Sequence, residues 1–202
     1  MPRTGIRKKS EAARQNLLDA ALQVIGSKGY SGATMDGIAK AAGVSKGLAY
    51  YHFANKAKLA AAVLDNGLGT LVEQLRRAGA ECESAAEAMD AMVEVLGDKL
   101  YSNKLVSRFV FEEMFREDRD CSEVVHTYIQ TFLGLIEELI ARGQAEGAFS
   151  AALDAQFTAV SLFGAVMTAS MYYTGLAEGV EPLSQADFTA RLKSQALAIC
   201  RA

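Results

Sequence analysis

Apolar residues recur every three or four positions along most of the chain, which is the spacing of helices with one buried face. Leu17, Ala21 and Ile25 form one such stripe, and Val125 and Phe132 belong to another. Only 2 prolines are present to interrupt helices. The pattern therefore predicts an all-α fold. After a disordered basic arm at residues 1–8, it predicts helices at about residues 9–28, 35–42, 46–53, 56–78, 84–101, 103–116, 121–146, 154–177 and 184–201.

Between residues 34 and 55 the pattern breaks into two helices of about two turns each. Thr34, Ser45 and Asn55 are residue types that cap helix N-termini, and Gly43 suits the turn between the two helices. Short helices joined by a glycine-containing turn are the arrangement that places a helix in a DNA groove. We therefore predict an N-terminal three-helix helix-turn-helix domain at residues 1–55. A long helix is expected to join it to a C-terminal helical bundle domain at residues 56–202.

Charge is divided unevenly along the chain. Residues 1–58 hold ten Lys and Arg against three acids, a net charge of +7, whereas the remainder has a net charge of −10. A basic segment on an acidic body is typical of a protein that binds a polyanion with one end. Charge alone leaves open the alternative of a merely solvated basic face.

Residues 43–59, GVSKGLAYYHFANKAKL, are the segment best suited to contact DNA. Ser45 can cap the second short helix and donate to phosphate, and Lys46 can reach a guanine or a phosphate. Gly47 has no side chain, so the backbone there can approach DNA closely. Leu48 can meet a thymine methyl group. Lys46 and Leu48 are therefore the predicted base readers.

Aromatic and basic residues follow in the same segment. Tyr50 and Tyr51 can each direct a hydroxyl at the DNA backbone, and Tyr51 is a third candidate base reader. His52 and Lys56 add donors where the next helix begins. Phe53 is expected to face the core, and a core role is also the alternative for the tyrosines and the histidine.

The N-terminal third resembles the tetracycline-repressor (TetR) family of bacterial regulators. The similarity is carried by SKGYSGATMDGIAKAAGVSKGLAYYHFANKAKL, with a threonine opening the second helix, an aromatic pair and a lysine opening the fourth helix. The family often has Thr-Leu-Tyr after SKG, whereas here a leucine replaces the hydroxyl donor. The resemblance implies DNA contacts at Thr34, Ser45, Lys46, Gly47, Leu48, Tyr50, Tyr51, His52 and Lys56.

The same resemblance implies that residues 56–202 form an all-helical domain that dimerises and binds a small effector. The predicted helix at 154–177 is uncharged between its ends, and small residues around Gly164 allow close helix approach. With the helix at 184–201 it can form a four-helix interface between two copies. A homodimer suits a palindromic double-stranded DNA operator. The alternative is that this helix is the centre of a monomeric bundle.

A small, largely apolar effector is expected among the middle helices, since such pockets are apolar with few polar groups. The effector is expected to favour a dimer in which the two helix-turn-helix domains, the reading heads, no longer match the operator, and so to lower DNA affinity. The helix that begins at Lys56 would transmit this change. Ordinary core positions are the alternative for each candidate. The candidates are Arg108, Phe109, Glu112, Met114, Phe115, His126, Tyr128, Phe132, Met167, Met171 and Tyr172.

Other classes of protein fit the sequence less well. Residues 155–177 are long enough to span a bilayer, but polar residues interrupt them and acids flank them. Glu123 and His126 form half of a di-iron motif, yet only 2 histidines are present, so no catalytic residue, metal or cofactor is predicted. Three scattered cysteines suit a reduced, cytoplasmic protein. A constitutive DNA-binding protein without an effector is the alternative to a ligand-responsive repressor.

Overall fold

The computed structural model describes residues 3–114, 122–174 and 179–201, and every regular element among them is an α-helix. The prediction of an all-α fold is therefore confirmed. The helices are α1 (Arg3–Gly32), α2 (Met35–Ala41), α3 (Lys46–His52), α4 (Lys56–Ala80), α5 (Ala85–Ser102), α6 (Lys104–Met114), α7 (Ser122–Ala145), α8 (Ala155–Tyr173) and α9 (Gln185–Arg201).

The first helix departs from the sequence-based expectation at its start. Because α1 begins at Arg3, the prediction of a disordered arm through residue 8 was wrong. No proline lies between residues 3 and 9, and the Lys and Arg residues there are good helix formers, so the helix continues through them. At the other end Gly29 has a φ of 72° and interrupts α1, as a glycine past a helix end does.

The described residues form two compact units. The first contains those up to Gly67 together with Arg108–Val125, and the second contains those of Leu68–Ser107 and those from His126 onward. α4 contributes residues to both units. The division at residues 55 and 56 stays a prediction.

The first unit is organised around α1, α2 and α3, which pack on one another. Leu17 and Ile25 of α1, Ile38 of α2 and Ala49 of α3 are almost fully buried. Leu59, in the first turn of α4, is buried as well. These residues fix the relative placement of the two short helices, which is what a DNA-reading element needs.

The second unit has a continuous apolar core to which α5, α7, α8 and α9 all contribute. Helices α5 and α9 approach closely at Gly97, where a Cβ would lie 2.5 Å from the Thr189 hydroxyl oxygen. Lys193 of α9 pairs with Asp90 and Glu94 of α5 at 2.8 and 2.6 Å. α8 lacks charged side chains, yet no helix among the described residues is both long and apolar enough to cross a membrane.

An arginine near the end of α7 holds the connection between α4 and α5. Arg142 donates to the backbone carbonyls of Cys82 and Glu83 at 3.1 and 2.7 Å, and to the Glu146 carboxylate at 2.7 Å. That carboxylate also accepts from the Ala85 amide, which is the main reason that the pKa of Glu146 is lowered. The second unit is therefore tied together at this corner by polar as well as apolar contacts.

Candidate DNA-binding site

The short helix α3 is fixed at both ends, so its outer face is well defined. The Ser45 hydroxyl oxygen accepts from the Leu48 amide at 3.2 Å, which confirms Ser45 as the N-cap. Ala49 is fully buried, and Phe53 after the helix is nearly so. Because these two residues face inward, Tyr50 is left on the exposed side of α3.

Helix α2 and the turn after it are held in a similar way. The Thr34 hydroxyl oxygen accepts from the Gly37 amide at 3.1 Å and caps α2, as predicted. Gly43 has a φ of 67°, which only glycine adopts without strain, and it makes the turn between α2 and α3. Thr34 and Ser45 use only a lone pair in these caps, so each O–H can still donate to a phosphate.

The predicted DNA-contacting residues differ in exposure. Thr34, Ser45, Lys46 and Gly47 are exposed, whereas Leu48 is half-buried. Among the aromatic residues, Tyr50 is 44% and Tyr51 is 78% exposed. Side chains with such large exposed fractions bury little apolar area, which favours a contact outside the folded chain over a core role. The structure thus leaves six of the nine predicted DNA residues exposed, all of them within residues 34–51.

Lys46, one of the predicted base readers, pairs with an acid that is not among the predicted DNA-contacting residues. Its Nζ lies 2.8 Å from the Oδ2 of Asp36 on α2 and 5.9 Å from the centre of the Tyr50 ring. The hydrogen bond to Asp36 raises the pKa of Lys46 above its ordinary value. Both partners are largely exposed. The sequence signal for Asp36 is its position as the sole acid between residues 20 and 58.

Lys56 opens α4 but points at the backbone of the first unit. Its Nζ donates to the carbonyl oxygens of Tyr30 and Ala33 at 2.8 and 3.0 Å and lies 4.2 Å from the centre of the Tyr30 ring. Asn55 caps this helix by accepting from the Lys58 amide at 2.8 Å. Lys56 therefore holds the connection between α1 and α2, and its contact with DNA stays a prediction.

His52 is half-buried at the end of α3. Its Nε2 is enclosed and has no hydrogen-bond partner among the described residues. The ring makes an edge contact with Tyr51, with 5.2 Å between ring centres, and a tilted contact with Phe53. The imidazole thus packs against Tyr51 within the chain, and a direct DNA contact by His52 stays a prediction.

The candidate effector residues are divided between the two units. In the first unit Phe109 is buried and stacks on Tyr30, with ring centres 6.4 Å apart, and Arg108 pairs with Glu112 at 2.8 Å. Met114 is half-buried, and Phe115 lies outside the described residues.

In the second unit Phe132 is buried and contacts the Phe163 ring, whose centre is 5.6 Å away. The hydroxyl of Tyr128 on α7 lies 2.9 Å from the position of a Cβ on Gly69 of α4, so that glycine admits the tyrosine. Of the others, Met167 is buried, Met171 is half-buried, and His126 and Tyr172 are exposed. A ligand role for each of the eleven candidates stays a prediction.

The capped pair α2 and α3, the turn at Gly43 and the exposed polar face of α3 define a helix-turn-helix DNA-binding protein. The chain belongs to the TetR family of bacterial regulators. The family model described as bacterial regulatory proteins, tetR family, matches residues 17–63. The model for the C-terminal region of YsiA-like proteins matches residues 64–172. The protein is therefore a transcriptional regulator and not an enzyme.

A relative and two solved structures illustrate the similarity. The transcriptional activator FasR of Mycolicibacterium smegmatis is 31% identical over 140 residues, which are 69% of this chain and 64% of FasR, slightly less than two thirds of that relative. FadR of Bacillus subtilis in complex with stearoyl-CoA has a TM-score of 0.80 at 17% identity, over 91% of this chain and 97% of FadR. AibR in complex with isovaleryl coenzyme A and operator DNA has a TM-score of 0.76 at 18% identity, over 92% and 98%. At these identities the two structures show a shared fold.

Proposed function

We propose that the protein is a ligand-responsive repressor that binds a palindromic operator as a homodimer in the cytoplasm and is released by an acyl-coenzyme A thioester. The observation that carries the proposal is the outer face of α3, where Lys46, Gly47, Tyr50 and Tyr51 are exposed on a helix that Ser45 caps. The side chains of Lys46, Tyr50 and Tyr51 offer donors to a phosphate backbone and to base edges, and Gly47 leaves room for close approach.

Within that interface the residues divide into two roles. Lys46 and Leu48 are the base readers, because an ammonium suits guanine acceptors and an apolar side chain suits a thymine methyl group. The hydroxyls of Thr34, Tyr50 and Tyr51 contact phosphates and fix the register. The net charge of +7 over residues 1–58 supplies the attraction that is independent of sequence.

Gly47→Ala is expected to stabilise the free protein and to weaken DNA binding. A Cβ at Gly47 meets nothing within 4 Å, and alanine is up to about 1 kcal/mol better than glycine in a helix. At the DNA surface the same methyl group holds the backbone away, which we expect to lower operator affinity about ten-fold, the cost of one good contact. Thermal denaturation and fluorescence anisotropy with operator DNA measure the two effects. Gly134→Ala, also with nothing within 4 Å of its Cβ, is the matched control that changes stability alone; undiminished operator affinity in Gly47→Ala would contradict the close approach.

Support for the homodimer comes from the outer face of α8. Phe157, Val160 and Tyr172 are 74%, 49% and 51% exposed, and exposed Gly164 and Thr168 lie between them at helical spacing. No charged side chain occurs in this helix. A contiguous apolar face of this kind marks a protein interface. A second copy of the chain is the occupant we propose, because a two-fold dimer presents two reading heads to a palindrome.

Support for an acyl-coenzyme A comes from two fold neighbours and from the interior of the second unit. FadR binds stearoyl-CoA and AibR binds isovaleryl coenzyme A, so related folds accept both long and short acyl chains. Phe132 and Met167 are buried apolar residues of the kind that an acyl chain contacts. The thioester would lower DNA affinity by favouring a dimer whose reading heads no longer match the operator. The connection we propose is α4, which contributes residues to both units.

Selection of bound duplexes from a random pool, followed by effector titration, tests the proposed function. We expect a two-fold-symmetric operator, and at least a ten-fold loss of operator affinity with one or more of a series of butyryl- to stearoyl-CoA. Free coenzyme A and the free fatty acids are the controls, and neither is expected to act. In vitro transcription from a promoter that contains the operator should fall on protein addition and recover with the active thioester. If no thioester changes operator affinity, the constitutive DNA-binding alternative is correct.

A further inference from the structure

An ion pair between Asp36 and Lys46 joins α2 to α3 on the proposed DNA-binding surface. Asp36 is the second residue of α2 and Lys46 is the first residue of α3, so their 2.8 Å contact bridges the turn of the helix-turn-helix motif. Asp36 is also the sole acid in the basic stretch between residues 20 and 58. A carboxylate in this place repels the phosphates that the rest of the surface attracts.

Exposure of the pair limits what it can contribute to folding. Both side chains are largely exposed, and exposed ion pairs are weakened by solvent and salt. The turn already has its own supports in the Thr34 and Ser45 caps and the positive φ of Gly43. The pair therefore contributes little to folding. Its main effect is expected when DNA binds and displaces the solvent from this surface.

DNA without the operator sequence offers Lys46 only phosphates. To contact one, the ammonium must leave Asp36 or bring the phosphate beside a carboxylate of the same charge, and either is unfavourable. An operator offers a third choice. An ammonium has three N–H donors, so Lys46 can stay paired with Asp36 and still donate to the O6 or N7 of a guanine, and Asp36 can accept from the amino group of a cytosine.

We propose that Asp36 is a specificity-determining residue, whose carboxylate keeps Lys46 from the phosphates of non-operator DNA and directs it to a base edge. Asp36 thus lowers the affinity for non-operator DNA, whereas at the operator its bond to a cytosine amino group offsets the repulsion of phosphates. This inference rests on the proposed DNA interface and names the acid that makes it selective.

The test compares Asp36→Asn with Asp19→Asn in the full chain. Asp19 lies on α1, is exposed and accepts from Gln15, so its replacement removes the same charge without touching Lys46. Affinities are measured over a range of salt for the selected operator and for a scrambled duplex of equal length. Circular dichroism establishes that each variant is folded, and Asp36→Ser provides a second removal of the carboxylate.

We expect Asp36→Asn to bind the scrambled duplex about two- to five-fold more tightly than Asp19→Asn does, the range typical of one exposed ion pair. Its salt slope on that duplex should steepen by about one unit for each reading head, because one more phosphate is neutralised. Operator affinity should stay level or fall, so the specificity ratio falls. In a Lys46→Gln background the difference between the two variants should shrink to the direct repulsion between the Asp36 carboxylate and phosphates.

Equal behaviour of Asp36→Asn and Asp19→Asn would overturn the inference, as would an equal gain on both duplexes. Either result leaves the proposed function intact, provided that the unaltered protein prefers its operator. A protein that shows no preference between operator and scrambled DNA would instead refute the proposed function itself.

Discussion

Val160→Glu is expected to dissociate the homodimer. Val160 lies on the exposed apolar face of α8, a helix without charged side chains. In a two-fold dimer the substitution places one carboxylate from each copy in that interface. Burying an unpaired charge costs several kcal/mol, so we expect the dissociation constant to rise at least about a hundred-fold.

The fold of each copy should survive this change, because the neighbouring Ala159 and Leu162 face the core while Val160 does not. Sedimentation equilibrium over a range of protein concentrations measures the dimer, and circular dichroism measures the fold. Ala141→Glu adds the same charge at an exposed position of α7 and is expected to remain dimeric. A dimer that persists in Val160→Glu at the same concentrations would place the interface on another surface.

Gly143→Ala is expected to lower the free energy of unfolding by about 2–3 kcal/mol. Gly143 lies inside α7, and the chain turns at Gly147, where φ is 71°, and folds back over it. The amides of Ala148 and Phe149 donate to the Gly143 carbonyl at 2.9 and 3.0 Å. A methyl group at this position overlaps the ring of Phe149, which is buried, so either the ring or the helix must move.

Gly134→Ala on the same helix is the matched control, with the opposite sign. Nothing lies within 4 Å of its Cβ, so we expect a gain of about 0.5–1 kcal/mol from helix propensity alone. Urea denaturation followed by circular dichroism measures both variants, at one protein concentration because dimerisation contributes to stability. Equal stability of the two variants would show that Phe149 does not pack on Gly143 in solution.

The local features of the reading element could be predicted from sequence. A helix cap needs a small polar residue three positions before an amide that lacks a partner, and Thr34 and Ser45 each stand at such a place. The all-α fold could be predicted from the spacing of apolar residues, because a helix buries residues three or four positions apart. Distances along the chain of three or four residues are all that these inferences require.

Contacts between distant residues could not be predicted. The sequence predicts a DNA contact at Lys56 but says nothing about its bonds to carbonyls 23 and 26 residues earlier. The sequence does not indicate the pairing of Asp36 either, because its partner is ten residues away across a turn. The sequence also gives no reason for a glycine at position 143, which the packing of Phe149 requires inside α7.

The contacts of Lys56 also bear on the construction of hybrid regulators. A junction after residue 55 would separate the reading head from Lys56, whose ammonium donates to the carbonyls of Tyr30 and Ala33. The graft would then depend on whichever residue the recipient supplies at the first position of its fourth helix. A junction after Gly67, where the α4 part of the first compact unit ends, transfers the reading head together with its own Lys56.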